Sequence, residues 1–134
     1  MIPTLYKCAT ALAALAVATL ALSLTAGAAT PAKKADPYVE SGKALSCIPL
    51  MSIRSTDVRD DRTIDFVTNN RKIYRNTLPQ SCPGLGFERR FAYKTSMSQL
   101  CSVDIITVLY SSPNLQRGAS CGLGEFQPME KPAK

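Results

Sequence analysis

The sequence predicts a mainly β fold, a small antiparallel sheet or barrel-like domain of about six short strands with two disulfides. Three observations carry this prediction. Short runs of β-branched and aromatic residues recur between clusters of turn residues. Four cysteines remain once an N-terminal apolar segment is set aside, and an even number in an exported chain indicates disulfides. The rest of the chain has room for one domain with a modest core, which two disulfides would stabilise strongly.

Residues 1–28 have the pattern of a signal peptide. A short segment with Lys7 gives a positive start, and an apolar run rich in Ala and Leu follows over residues 8–24. Ala26 and Ala28 are the small residues of a cleavage site, so we place the cut after Ala28. An uncleaved membrane anchor is the alternative, but the run is short for a span of about 20 residues. We therefore expect a periplasmic or secreted protein with no stable membrane anchor after cleavage.

The chain left after cleavage is moderately basic. Lys7 is the only one of the 16 basic residues in the removed segment, so 15 basic and 10 acidic side chains remain, a net charge of +5. Basic and acidic residues alternate along the chain, which is typical of a solvated mixed surface. We therefore expect no nucleic-acid partner, while an envelope protein or an anionic ligand stays open as the partner.

Composition divides the remaining chain into three parts. Residues 29–42 consist mainly of Ala, Pro, Lys and acidic residues with almost no apolar periodicity, and they predict a flexible leader. Residues 128–134 are similar and predict a flexible tail. Residues 43–127 between them predict a single β domain without detectable repeats.

The first three predicted strands are an edge strand followed by a hairpin. Residues 47–53 predict the first strand, in which Pro49 indicates an edge position or an irregular course. Residues 62–67 alternate apolar and polar side chains and predict the second strand. The Asn-containing segment 68–71 predicts a hairpin turn, from which residues 72–78 return antiparallel as the third strand.

Turn residues separate the other three predicted strands. Residues 79–86 contain two prolines and two glycines and predict a loop. Residues 89–95 predict the fourth strand, and the continuous apolar run 104–110 predicts a fifth strand buried on both faces. Residues 120–126 predict the last strand, weakened by two glycines. The connections 95–102 and 111–119 predict one helical turn and a loop, respectively.

The cysteine spacing favours disulfides over a metal site. Cys47, Cys82, Cys101 and Cys121 are separated by 35, 19 and 20 positions, so no close pair would bring two thiolates to one zinc ion. Four cysteines allow three pairings. In a meander of six strands, strand ends alternate between two poles, which places Cys47 near Cys101 and Cys82 near Cys121.

Distance then decides between these pairings. Disulfide partners need Cα atoms within about 7 Å, whereas five-residue strands separate the two poles by roughly 17 Å. We therefore predict the pairs Cys47–Cys101 and Cys82–Cys121.

Residues 118–122 read G-A-S-C-G and match the G-x-S-x-G pattern of a serine-hydrolase nucleophile elbow. That elbow needs a strand, a sharp turn and a helix, together with a histidine that takes the serine proton. The chain contains no histidine, and the glycines after Ser120 do not predict a helix. A Ser-Lys dyad would need a desolvated lysine, and no spacing supports Lys43, Lys72 or Lys94 as the base. We therefore assign no catalytic residue.

The acidic residues do not form a recognisable metal or catalytic motif. Asp57, Asp60 and Asp61 offer oxygen ligands, but the EF-hand spacing is missing, so we interpret them as turn acids paired with nearby arginines. We predict no metal site and no cofactor. Carboxylate pairs for acid-base hydrolysis can be drawn from any small protein, and here the candidates are Asp61, Asp65, Glu88 and Asp104.

Aromatic residues alternate along the predicted strands close to arginines. Such a face can stack the bases of single-stranded nucleic acid. Core packing and a hairpin surface account for it more simply, and export argues against nucleic acid. The aromatic residues are Phe66, Tyr74, Phe91, Tyr93 and Tyr110, and the arginines are Arg71, Arg75 and Arg90.

Four segments, residues 47–66, 74–96, 99–109 and 118–128, resemble a family of small exported proteins of Gram-negative bacteria, the domain-of-unknown-function family 6491 (DUF6491-like). The similarity lies in the order Cys, Asp-Asp, Tyr-x-Asn-x-Leu, Cys-Pro-x-Leu, Leu-Cys, Asp-x-Ile and Cys-x-Leu-Gly-x-Phe. It covers nearly all of the predicted domain. The resemblance implies a periplasmic setting, and it brings no catalytic residue, cofactor or ligand with it.

The function that we expect is that of a non-enzymatic binding or interaction module of the envelope. One alternative is a small hydrolase that uses carboxylates or a Ser-Lys pair, which predicts a cleft with two ionisable groups of displaced pKa. Another is a secreted protease inhibitor that presents the loop 79–86, which predicts a protruding, pre-organised loop.

Overall fold

The computed structural model describes residues 35–133. The predicted signal peptide, residues 1–28, lies outside the described residues. The elements in chain order are β1 (Val39–Glu40), β2 (Cys47–Pro49), a 3-10 helix (Leu50–Ser52), β3 (Ile53–Val58), β4 (Thr63–Thr68), β5 (Ile73–Thr77), α1 (Leu85–Glu88), β6 (Phe91–Lys94), β7 (Gln99–Cys101), β8 (Ile105–Tyr110), β9 (Gln116–Gly122) and β10 (Phe126–Glu130).

These strands form three antiparallel sheets. The large sheet has the order β1-β10-β5-β4-β3, the small sheet has the order β6-β8-β9, and β2 pairs with β7. The prediction of a mainly β, antiparallel fold with two disulfides is therefore confirmed. The strands are more numerous and shorter than the six predicted. Their order is not a meander, because β10 from the C-terminal end lies between β1 and β5.

The first predicted strand is interrupted at Pro49. Proline has no N–H to donate to a strand pair, and its φ of −65° leads into the 3-10 helix that ends β2. The chain extends again at Ile53 and continues to Val58 as β3, which pairs with β4. Asp57 therefore lies within an exposed edge strand, not within a turn.

Two predicted connections also differ from the structure. The expected helical turn over residues 95–102 contains β7, since Cys101 lies directly opposite Cys47 in the β2–β7 pair. The expected loop over residues 111–119 gives way to β9 at Gln116, because this segment pairs with the apolar strand β8. Both strands depend on partners that are distant in sequence, so local propensity does not indicate them.

The ordered domain extends beyond the predicted limits of 43–127 at both ends. Val39 and Glu40 lie opposite Glu130 and Met129, and the Ser41 N–H donates to the Pro128 carbonyl oxygen at 2.8 Å. Residues assigned to a flexible leader and a flexible tail therefore complete the large sheet. The composition did not indicate this because the pairing uses backbone groups, which any residue but proline supplies in full.

One hydrophobic core joins the large and the small sheet. Ile64 and Phe66 of β4 and Phe126 of β10 are fully buried with Ile106 and Val108 of β8. The Phe66 and Phe126 rings meet edge to face at 5.4 Å between centroids, a favourable geometry for aromatic pairs.

Strand β8 is buried on one face only. Ile106 and Val108 point into the core, whereas Ile105 is 55% exposed. The expectation that this run is buried on both faces is therefore wrong, because the side chains that alternate with Ile106 and Val108 stay exposed or only partly buried.

The two predicted disulfides are confirmed. Cys47 and Cys101 are joined with their Cα atoms 4.0 Å apart, and Cys82 and Cys121 with theirs 5.9 Å apart. Cys47 and Cys101 meet as opposite residues of one strand pair, so the meander that suggested their proximity was not needed. Disulfides persist in oxidising compartments. Within residues 35–133, no helix has the length and apolarity that a membrane crossing requires.

Mass spectrometry checks this covalent framework. Alkylation of the oxidised protein without reductant should label none of the four paired cysteines, and prior reduction should expose all four. Proteolysis without reduction should release one linked pair of fragments that contains Cys47 and Cys101 and another that contains Cys82 and Cys121. A linked pair that contains Cys47 and Cys82 would contradict the structure.

Candidate functional site

Ser120 lies in the middle of β9 and not at a strand-to-helix turn. Its hydroxyl is within 2.9 Å of the Thr107 hydroxyl on the neighbouring strand, and not of Lys43, Lys72 or Lys94. A nucleophile elbow requires a sharp turn after the serine, and the chain here stays extended to Gly122. The G-x-S-x-G match therefore surrounds a structural half-cystine.

The acidic residues proposed for hydrolysis hold loops in place. Asp61 accepts a hydrogen bond from the Gly86 N–H at 2.7 Å, and Asp104 accepts one from the Cys101 N–H at 2.7 Å. Glu88 accepts longer hydrogen bonds from the Ser111 N–H and hydroxyl. Each of these carboxylates therefore accepts hydrogen bonds from polar groups of a turn or connection.

Asp65 is the most deeply buried carboxylate among the described residues, with 2% of its surface exposed. Arg75 donates to it from Nε at 2.7 Å and from Nη2 at 2.9 Å, and Arg59 donates from Nε at 2.8 Å. Asp36, near the N-terminal limit of the described chain, pairs with Arg75 on its other side. Within residues 35–133, no group of His, Cys, Asp and Glu side chains is placed to hold a metal ion.

Pairing favours the charged forms of Asp36 and Arg75. The hydrogen bond from Arg75 holds the pKa of Asp36 below the ordinary aspartate value, and the hydrogen bond to Asp65 raises the pKa of Arg75. A general acid or base must instead titrate near the working pH. The displaced pKa values thus move away from neutrality, which is the wrong direction for acid-base hydrolysis.

The loop 79–86 lies against the domain. The Cys82 N–H donates to the Asp61 carbonyl oxygen at 2.6 Å, and the Arg62 guanidinium donates to the carbonyl oxygens of Leu78 and Pro79. Cys82 and Leu85 are fully buried. Pro79, Gln80, Ser81 and Pro83 stay exposed, so the loop is anchored at some residues and open to solvent at others.

A groove of about 600 Å³ lies at one end of the large sheet. The N-terminal arm (residues 35–42), the start of β5 and the end of β10 form its walls. We call it the basic groove. It is lined by Tyr38, Ser41, Gly42, Arg71, Lys72, Ile73, Tyr74, Pro128, Met129, Glu130 and Lys131.

Three cations give the basic groove its charge. Arg71, Lys72 and Lys131 are exposed, and none of them forms an ion pair with another described residue. Glu130 is the single acidic residue of the lining. With three cations and one acid among its lining residues, the groove carries a net positive charge.

Local structure positions the cations at the β4–β5 hairpin. The Thr68 hydroxyl can donate to the Asn70 side-chain oxygen or to the Lys72 carbonyl oxygen, which is 2.9 Å away. Either hydrogen bond joins the two ends of the turn. Arg71 adopts a φ of 63° inside this turn. The turn residues of the hairpin therefore present Arg71 and Lys72 side by side, as a left-handed position in a tight turn permits.

Two tyrosines provide the aromatic part of the groove. Tyr74 is partly buried and packs against the core cluster, which fixes one side of its ring. Tyr38 comes from the N-terminal arm, and the Arg59 guanidinium lies over its ring at 5.6 Å from the centroid. The Gln127 side chain donates to the Gly42 carbonyl oxygen at 3.1 Å and so holds the arm beside β10.

The sequence indicated only part of this site. It placed Arg71 and Tyr74 on a hairpin surface, where the structure has them. It missed Tyr38 and Lys131, because both lie in segments whose composition predicted flexibility. The nearby hydrophobic residues Val39 and Met129 could have indicated strands in these segments, since they belong to β1 and β10.

The chain matches no family model, no curated protein and no solved structure, so the resemblance to family 6491 stays a prediction and the site rests on its own geometry.

Proposed function

We propose that this protein is an exported, non-enzymatic binding module of the envelope and that its ligand is an anionic saccharide bound in the basic groove. The observation that carries the proposal is the groove lining, which combines three cations without an ion pair to a described residue and two tyrosines. Pockets that bind small ligands combine apolar or aromatic walls with a few charged groups in this way.

The two parts of the lining suit the two parts of such a ligand. Arg71, Lys72 and Lys131 can donate charge-assisted hydrogen bonds to a phosphate or carboxylate group. The apolar face of a sugar ring can pack on the rings of Tyr38 and Tyr74, whose hydroxyl groups remain available for hydrogen bonds. A purely inorganic anion would leave the aromatic walls unused.

Export to the periplasm is part of the same proposal. The signal-peptide pattern of residues 1–28 supports it, and the two disulfides fit an oxidising compartment. The resemblance to exported proteins of Gram-negative bacteria makes the periplasm the compartment of this proposal.

Calorimetric titration of the oxidised protein with N-acetylglucosamine 1-phosphate tests the proposal, with neutral N-acetylglucosamine as the comparison. Because a hydrogen bond to a charged group contributes about 1.5–3 kcal/mol, the Arg71→Ala/Lys72→Ala variant should bind at least about tenfold more weakly. The Lys94→Ala/Arg117→Ala variant removes two cations that line a different groove, on the small sheet, and should bind like the wild type.

Two results would contradict the proposal. One is equal binding of the charged and the neutral sugar. The other is a larger loss of affinity in the Lys94→Ala/Arg117→Ala variant, which would move the site to the small sheet.

A further inference from the structure

The outer face of the large sheet contains two arginines for one buried carboxylate. Asp65 lies opposite Arg75 in the β4–β5 pair, and its two oxygens accept hydrogen bonds from both Arg75 and Arg59. One carboxylate neutralises one guanidinium. A second positive charge therefore remains at the surface of the sheet, and the exposed Asp57, 3.8 Å from Arg59, offsets it only in part.

Asp36 supplies the second negative charge. Both of its oxygens face the Arg75 guanidinium, with Nη2 at 3.3 Å from Oδ1 and Nη1 hydrogen-bonded to Oδ2. Arg59 Nη1 lies 3.9 Å from the same carboxylate. Arg75 thus binds the carboxylate through two nitrogens, the bidentate geometry in which arginine recognises carboxylates most specifically, and Arg59 adds a longer ion contact.

The two sides of this contact differ in how firmly they are built into the domain. The Arg75 side chain is 14% exposed and is fixed by Asp65, whereas the Asp36 side chain is 39% exposed. Asp36 belongs to the N-terminal arm, which joins the domain through the two residues of β1 and a few hydrogen bonds. Arg75 is therefore held in place by the domain, whereas Asp36 is held only by the N-terminal arm.

We propose that Arg59 and Arg75 form a carboxylate-binding site in which Asp36 is the resident occupant, and that a carboxylate from another molecule takes its place when the arm lifts. This site is separate from the cations of the basic groove. Tyr38 touches both, since its ring lies under Arg59 and also lines the groove. Binding of an external carboxylate should therefore also loosen one wall of the groove.

Thermal unfolding of the full oxidised chain in sodium acetate and in sodium chloride of equal ionic strength tests the site. A ligand that binds only the folded state raises its melting temperature by mass action. Asp36→Ala opens the site, so its rise in acetate over chloride should be at least about threefold that of the wild type. Glu40→Ala removes an exposed acid of the same arm that forms no ion pair with Arg59 or Arg75, and it should respond like the wild type.

A second variant separates specific binding from a general effect of acetate. Adding Arg59→Gln to Asp36→Ala should reduce the extra rise to about half or less, since it removes the Arg59 charge and leaves only the two Arg75 nitrogens. An acetate response that is equal in the wild type and Asp36→Ala would overturn the proposal. So would a response that the Arg59→Gln change leaves unchanged.

Two tripeptides then identify the source of the carboxylate. Ala-Ala-Ala carries a free C-terminus, and acetyl-Ala-Asp-Ala amide carries only a side-chain carboxylate. Stabilisation of Asp36→Ala by the first assigns the site to chain termini, and stabilisation by the second assigns it to acidic side chains. The melting temperatures measured with acetate and with the peptides do not depend on sugar binding. A negative result here would therefore leave the proposed sugar site in the basic groove untouched, since the calorimetric titration tests that site separately.

Discussion

Replacement of Gly124 by alanine should lower the free energy of unfolding by about 2–4 kcal/mol, because the new Cβ would collide with the main-chain oxygen of Thr77. Gly124 is also clamped by the fully buried Asn76. The Asn76 amide donates to the Gly124 carbonyl oxygen at 2.7 Å and accepts from the Gly124 N–H at 2.8 Å. A shift of the backbone that relieves the collision would weaken both hydrogen bonds, each of which contributes about 1 kcal/mol.

Gly122 provides the matched control two residues away. No atom lies within 4 Å of the position that its Cβ would take, so Gly122→Ala should change the unfolding free energy by less than about 0.5 kcal/mol. Urea denaturation of the two oxidised variants and the wild type measures the difference. Equal midpoints for Gly124→Ala and Gly122→Ala would show that the close approach of Gly124 to β5 is wrong.

Asp65→Asn should cost about 2–4 kcal/mol of stability at neutral pH. The substitution keeps the shape of the side chain and removes the charge, which leaves the mostly buried Arg75 and the neighbouring Arg59 without their shared partner. Breaking a buried ion pair from one side costs about 3–5 kcal/mol. The expected loss is somewhat smaller because Asp36 still contacts Arg75 and Arg59 is partly exposed.

Asp57→Asn is the control within the same cluster. Asp57 also lies near Arg59, at 3.8 Å, but its side chain is 59% exposed. Exposed ion pairs contribute at most about 1 kcal/mol, so this variant should stay close to the wild type in the same urea experiment. Equal losses of stability in Asp57→Asn and Asp65→Asn would contradict the claim that burial strengthens the ion pairs of Asp65.

Apolar periodicity predicted the parts of the fold that depend on local sequence. The alternation around Phe66 and the turn before Ile73 correspond to the β4–β5 hairpin. The cysteine pairs were also predicted correctly, but from a six-strand meander that the structure does not have. The break between β9 and β10 could not, because it depends on the contact of Gly124 with Thr77, a residue 47 positions earlier in the chain.

The candidate site was harder to predict than the core. Arg71 and Tyr74 lie in a hairpin that the sequence indicates, but Tyr38 and Lys131 reach the groove only because β1 pairs with β10. Asp65 looked like any other acidic residue of a small protein. Its two arginine partners come from the turn before β4 and from β5, so the cluster exists only after the strands are paired.

Nuclear magnetic resonance tests most directly whether the basic groove is the binding site. In a titration of the ¹⁵N-labelled, oxidised protein with N-acetylglucosamine 1-phosphate, the amide signals of Gly42, Lys72, Tyr74 and Lys131 should shift in a saturable manner, and neutral N-acetylglucosamine should move them much less. Shifts centred on Ile105 and Thr107 of the small sheet, or no saturable shift at all, would contradict the account.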